Sequence, residues 1–225
     1  MSRRGMMGRT GASPPIPTLE PYYHFPLTSN GNDIKQGVTP TGVGNLVQFS
    51  ADGARFQRNA ANSFLTYVNK LDATKCITYS AKMLYTATPP TGNWSVAWGH
   101  WQYYLSPNYW ASPNIAWLYN TGRNRISIAF TNGTGTIGYV SADWQSTPSI
   151  NTWYEISVVI SEGYQAIFLN KEKIAEFSQQ IRLPKTTNIL HLNSYNDDSR
   201  YGFDGYIKDF KIFDRVLTEQ EIQSL

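Results

Sequence analysis

The chain is short of most of what catalytic and membrane proteins are built from. It holds one cysteine in 225 residues, Cys76, so no intrachain disulfide can form and no thiolate metal cluster can assemble. Cys76 sits at the start of an alternating run and reads as a buried core thiol. Charge is sparse, at 16% of residues, and no apolar run approaches the ~20 residues that a membrane-spanning helix needs. No secretory signal is visible, because Gly, Ser and Pro follow the first arginines where an apolar core would stand. Two glycosylation sequons, at Asn93 and Asn132, therefore carry little weight. There are three histidines, His24, His100 and His191. Neither a Gly-x-Ser-x-Gly nucleophile elbow nor a phosphate-cradling Gly-Lys-Ser/Thr loop is present. His24 and His191 lie in strand-like runs and read as hydrogen-bonded structural residues, and no zinc site is expected from so few ligands.

Basic charge is not concentrated on a folded face either. The net charge is +3, and Arg3, Arg4 and Arg9 against Glu20 place +2 of it in residues 1–20. A nucleic-acid binder carries a basic stripe on its domain, so no nucleic-acid partner is expected. Residues 1–20, rich in Gly and Pro, cannot bury enough surface to fold alone. They read as an extended basic arm, with residues 21–225 as one domain. Arg3, Arg4 and Arg9 would give such an arm charge-assisted hydrogen bonds to an acidic partner surface.

Aromatics are abundant, with 15 tyrosines and 7 tryptophans, and such residues favour strands. Tyr22 to Leu27 reads as an opening strand. Gly44 to Phe56 reads as a hairpin turning at Asp52-Gly53. Ser63 to Val68 follows. Cys76 to Tyr85 alternates strictly, with Ile77, Tyr79, Ala81, Met83 and Tyr85 on one face. Shorter runs follow at Trp94 to Gly99, Ile115 to Tyr119, Arg125 to Phe130 and Ile137 to Val140. Trp153 to Ile160 points Tyr154, Ile156, Val158 and Ile160 inward. Gln165 to Leu169, Ile174 to Phe177 and Ile189 to Leu192 complete the count. About a dozen short strands at near-regular spacing predict a β-sandwich or barrel.

The last residues, Gly205 to Leu225, read as a strand, a turn and a capped helix. Thr218 and Glu221 have capping-box spacing, and Leu217 with Ile222 completes a hydrophobic staple. Phe210 and Ile212 share one face of the strand, and Ile207 joins them only if a bulge intervenes. This ending resembles the closing signature of laminin G-like domains in the concanavalin A-like lectin/glucanase superfamily, which usually runs Gly-x-Ile-Asp-Asp-Val-x-Ile-Tyr-x-Arg-x-Leu-Ser-x-x-Glu-Ile. Here Lys208 replaces the first Asp and Asp209 keeps the second. The resemblance covers residues 22–225. It implies an all-β jelly-roll sandwich of two antiparallel sheets with a short C-terminal helix. The family often places Asn-Gly in the turn that is Asn170-Lys171 here, and losing the glycine predicts a loop longer than two residues.

What the resemblance implies for chemistry is narrower. Laminarinase-like members carry Glu-x-Asp-x-x-Glu on one strand, and that triplet is absent. Glu155 stands alone, Glu172 and Glu176 flank a turn, and Asp197-Asp198 reads as a solvated loop pair. Retaining glycosidases need two carboxyls about 5 Å apart, so no catalytic residue is assigned. Many related domains hold a structural calcium through loop carboxylates, and Asp33 and Asp209 are the positions that match. The plainer reading is a turn-capping Asp33 and a surface Asp209. Trp101, Tyr103, Tyr104, Tyr109 and Trp110 fall in a Ser-Pro-Asn-rich loop. Three roles fit them: sugar stacking, a protein contact or local packing. An arm joined to one lectin-like domain also resembles accessory proteins of bacteriophage virions. The first expectation is therefore a non-enzymatic capsid-decoration or tail component that meets other virion subunits through its arm, homo-oligomerises or contacts a host-surface glycan. A secreted or cell-surface carbohydrate-binding or adhesion module is the alternative, and a glycan-active hydrolase the third reading.

Overall fold

Alternation of apolar and polar residues builds two stacked antiparallel sheets. The computed structural model describes residues 19–58, 63–88, 93–101, 113–120, 123–131, 137–144, 148–180, 187–193 and 202–225. The strands are β1 Tyr23–Phe25, β2 Gly42–Val43, β3 Gln48–Ser50, β4 Gly53–Phe56, β5 Leu65–Asp72, β6 Thr78–Tyr85, β7 Asn93–Trp101 and β8 Pro113–Asn120. They continue with β9 Arg123–Thr131, β10 Ile137–Trp144, β11 Trp153–Ser161, β12 Tyr164–Leu169, β13 Glu172–Phe177, β14 Thr187–Leu192 and β15 Gly205–Phe213, before helix α1 Glu219–Gln223. The eight-stranded sheet runs β13-β12-β11-β6-β15-β4-β3, with β1 also paired to β15. The seven-stranded sheet runs β10-β9-β8-β7-β14-β5-β2. The protein is thus a jelly-roll sandwich with a short C-terminal helix, as the closing sequence implied.

Strand β15 organises the core through one irregularity. Its pairing with β6 slips between Lys208 and Lys211, and Asp209 takes φ 54° at that point. An extra residue in a strand reverses the facing of everything after it. Ile207, Phe210 and Ile212 therefore all point inward, each fully buried. Phe210 is a hub: its ring lies 5.3 Å from Trp98 of the facing sheet, edge-on, and 5.9 Å from Phe25. Trp98 is itself fully buried. On β6 the expected stripe also holds, with Tyr79, Ala81, Met83 and Tyr85 buried and Ile77 partly buried just before it. Cys76 is a buried free thiol, and burial raises its pKa.

Two turns differ from expectation. The β3–β4 connection turns at Ala51-Asp52, since Ser50 pairs Gly53. Gly53, at φ 111°, packs so closely on β15 that a Cβ would lie 2.5 Å from the Ile207 carbonyl. The glycine answers to that approach rather than to the turn itself. The β12–β13 hairpin is no longer than two residues, because Leu169 pairs Glu172 directly across Asn170-Lys171. Both residues adopt positive φ, 49° and 72°, as the tight primed hairpin turns require. Lysine takes the conformation that glycine would take more easily.

Helix α1 closes the sheet's outer face. Its capping box is complete: Glu221 N donates to Thr218 Oγ1 at 3.2 Å, and Thr218 N to Glu221 Oε2 at 2.8 Å. Arg215 grips the same carboxylate through both nitrogens, at 2.7 and 2.9 Å. That grip pulls the Glu221 pKa down to about 2. Leu217 and Ile222, the staple pair, are buried in a small second core with Val159, Ala166, Phe168 and Phe213. Leu19 packs onto it, so the chain is already docked on the domain at that residue.

Candidate functional site

Asp33 and Asp209 both bond His24 on β1, Asp33 through the histidine's backbone N–H and Asp209 through its ring. Asp33 is 3% exposed. Its Oδ1 accepts the backbone N–H of His24 at 2.5 Å and of Lys35 at 3.2 Å, and its Oδ2 accepts that of Gln36 at 2.5 Å. This carboxylate staples its own loop. Asp209, turned outward by the bulge, lies 2.7 Å from His24 Nε2, 3.2 Å from Lys211 Nζ and 3.4 Å from Lys82 Nζ. The His24 hydrogen bond holds its pKa well below the usual carboxylate range; burial opposes this and Lys211 adds to it. Calcium wants six to eight oxygens. One of these carboxylates is taken up by backbone donors and the other by cationic side chains and His24. The pair does not fit calcium, and among the described residues no cluster of three or more His, Cys, Asp or Glu side chains could hold a metal.

The bulge also sets the outer face of the eight-stranded sheet. Alternation and register place its side chains in rows. One row reads Arg55, Tyr206, Leu84, Trp153 and the next Lys208, Lys82, Glu155. Beyond them come Lys211, Ser80, Ser157 and Phe168, then Phe213, Thr78, Val159 and Ala166. Helix α1 covers the apolar members of the last two rows. Nothing among the described residues covers the first two in that way.

On that open half, Lys82, Trp153, Tyr154, Glu155, Asn170 and Lys171 line a groove of about 260 Å³. Lys208 Nζ sits 4.0 Å from the Trp153 ring centroid, and the Arg55 guanidinium 5.4 Å from that of Tyr206. Asn170 Oδ1 accepts the Glu155 backbone N–H at 3.0 Å, which ties the hairpin turn to the groove wall. The Glu155 carboxylate itself has no ion-pair or hydrogen-bond partner among the described residues. An aromatic plate, ammonium groups, an amide and an unengaged carboxylate in one shallow depression can bind a polar ligand with an apolar face.

Of the residues singled out in the sequence, Tyr103, Tyr104, Tyr109 and Trp110 lie outside the described residues, as do Arg3, Arg4 and Arg9, while Trp101 closes β7. His24, Lys82, Trp153 and Lys208 went unrecognised as a group. The signal available was Lys208 itself, the departure from the family's acidic pair.

The chain matches the laminin G-like model described as the concanavalin A-like lectin/glucanases superfamily over residues 66–223. It belongs to that superfamily. Among curated proteins, none matches it. Among solved structures it is similar to the binding domain of botulinum neurotoxin serotype G, with TM-score 0.68 and 16% identity over 91% of this chain and 50% of that one. It therefore spans about half the length of that domain. Domain 4 of AbnA, an extracellular arabinanase from Geobacillus stearothermophilus solved with arabinotriose, gives TM-score 0.65 and 13% identity, covering 91% of this chain and 97% of that one. The heptameric pentraxin of Limulus polyphemus gives TM-score 0.56 and 14% identity over 75% and 77%. At such identities the likeness is one of fold.

Proposed function

We propose that this is a non-catalytic, lectin-like binding module whose ligand is a carbohydrate, acting outside the cell. The observation that carries the reading is the groove beside Trp153, where an aromatic plate stands next to the Glu155 carboxylate, which has no partner among the described residues. The superfamily membership supports it, and so does the similarity to an arabinanase domain solved with arabinotriose. An accessory virion protein is the narrower reading. It rests on the composition of residues 1–20, while the solved domains cited above come from a toxin, an enzyme and a pentraxin. Among the described residues, no helix is long and apolar enough to cross a membrane.

The test pairs binding with turnover. Glycan-array screening followed by calorimetry should find at least one oligosaccharide that binds wild type, and reducing-end assays on the same sugar should show no product. Hydrolysis that disappears in Glu155→Gln would replace this reading with an enzyme. An array with no bound glycan would remove carbohydrate as the ligand.

A further inference from the structure

The ligand class can be narrowed from the charge layout of the open face, taking the carbohydrate reading as given. Lys82 and Lys208 are direct cross-strand partners on β6 and β15, with their side chains on one face. Like charges directly opposite each other destabilise a sheet pair. The fold answers only half of this conflict. Lys82 reaches Asp209 at 3.4 Å, but Lys208 has no carboxylate partner among the described residues and rests on Trp153 at 4.0 Å. A cation over an indole is attracted to the ring while its charge stays uncompensated.

The groove wall repeats the pattern. Among the described residues Lys171 reaches only the Gln223 carbonyl, at 3.4 Å, and it lies in the two-residue turn at φ 72°. Around the depression, Lys171 and Lys208 have no carboxylate partner among the described residues, and Lys82 shares Asp209 with Lys211 and His24, so cationic charge exceeds the single carboxylate of Glu155 in the groove. A neutral sugar would use Trp153, Asn170 and Glu155 and leave that excess cationic charge unanswered. A sugar ring bearing a carboxylate or sulfate answers it.

We infer that the groove binds an anionic saccharide. The sugar's acid group pairs with Lys208 and Lys82, its apolar face lies against Trp153, and its hydroxyl groups donate to Glu155. Charge-assisted hydrogen bonds to carboxylate are about twice as strong as neutral ones, so the acid group is the main determinant of specificity. A groove of about 260 Å³ is slightly smaller than typical drug-sized pockets. It suits one ring of a longer chain.

The test uses full-length protein with carboxylated oligosaccharides, namely oligogalacturonate, oligomannuronate and sialyllactose, each beside its own methyl ester. A sulfated galactose oligosaccharide forms a separate arm. Methyl esterification keeps the backbone and removes the charge. Expected is at least one carboxylated or sulfated member that binds about tenfold or more tightly than its ester or its unsulfated parent, a margin that shrinks as salt rises. Lys208→Gln and Lys82→Gln should each erase most of it while the melting temperature stays near wild type. Tighter binding of the carboxylated or of the sulfated member tells which anion the site takes. Esters binding as well as acids overturn the inference but leave the carbohydrate reading standing. An anion preference that survives both lysine variants also overturns it, since the anion is then held elsewhere. No binding to any acidic or neutral member defeats both.

Discussion

On β11, Trp153 and Glu155 face an open groove, whereas Val159 on the same face of the same strand is completely buried beneath helix α1. Strand β15 divides likewise: Tyr206 and Lys208 carry cation–aromatic contacts in the open half, and Phe213 lies under the helix. The strands and their pairing are shared, so backbone does not distinguish the halves. What distinguishes them is the outward residue in each row. The chain that returns after β15 covers the cluster of Val159, Ala166, Phe168 and Phe213; nothing among the described residues covers in that way the half that carries Arg55, Lys82, Lys208 and Glu155. The covered half contributes stability through burial at about 25 cal/mol per Å², and the open half holds groups that remain available to a ligand.

The largest expected effect breaks this contrast directly. Phe168→Ala empties the small core under α1 and should lower the unfolding free energy by about 3–5 kcal/mol. Trp153→Ala, on a half-buried ring, should cost no more than ~2 kcal/mol, most of it lost apolar contact, while abolishing saccharide binding. Urea denaturation of both variants measures the difference. Equal losses would mean that the open half is as much a part of the core as the covered one.

Next in size is the cluster at the bulge, where the two halves meet. Asp209→Asn keeps the shape and tolerates positive φ, but removes the anion that His24, Lys82 and Lys211 share. A cost of about 1–3 kcal/mol is expected near neutral pH. The sign with pH follows from the depressed pKa of Asp209. Its ionised form stabilises the fold fully above the unfolded-state value of about 3.9, and that contribution is lost as pH falls through the lower folded value. The gap between wild type and variant should therefore close below about pH 4. Melting curves from pH 7 to 2 would show it, and a gap that stays constant would assign the loss to packing.

The fold was legible because its main cues are local. Alternation in Cys76 to Tyr85, the capping box at Thr218 and Glu221, and the closing strand's mismatched face each report their own structure. The bulge could be anticipated because Ile207, Phe210 and Ile212 cannot all face inward on a regular strand. The groove could not be anticipated in the same way. Trp153, Lys82 and Lys208 are far apart in sequence and meet only through the register of β11, β6 and β15. Asp33 and Asp209 were paired by resemblance and each bonds His24, but their hydrogen-bond partners decide what they do, and those are tertiary. The turn at Asn170-Lys171 misled because local preference argued for a longer loop, while pairing of β12 with β13 held it to two residues.

That turn supplies the smallest effect and the sharpest test of the contrast. Lys171 holds φ 72°, where a side chain crowds its own backbone and glycine does not. If stability alone governed the position, Lys171→Gly should be an improvement of about 0.5–1 kcal/mol, less the weak tether to the Gln223 carbonyl at 3.4 Å. The same change removes one ammonium group from the groove wall, so affinity for the acidic saccharide should fall severalfold while its methyl ester binds as before. Opposite signs in melting temperature and acid affinity would mark the residue as kept for the ligand at the expense of the fold. A variant that is both less stable and unchanged in binding would place Lys171 with the helix-covered half, as a strut between the hairpin and α1.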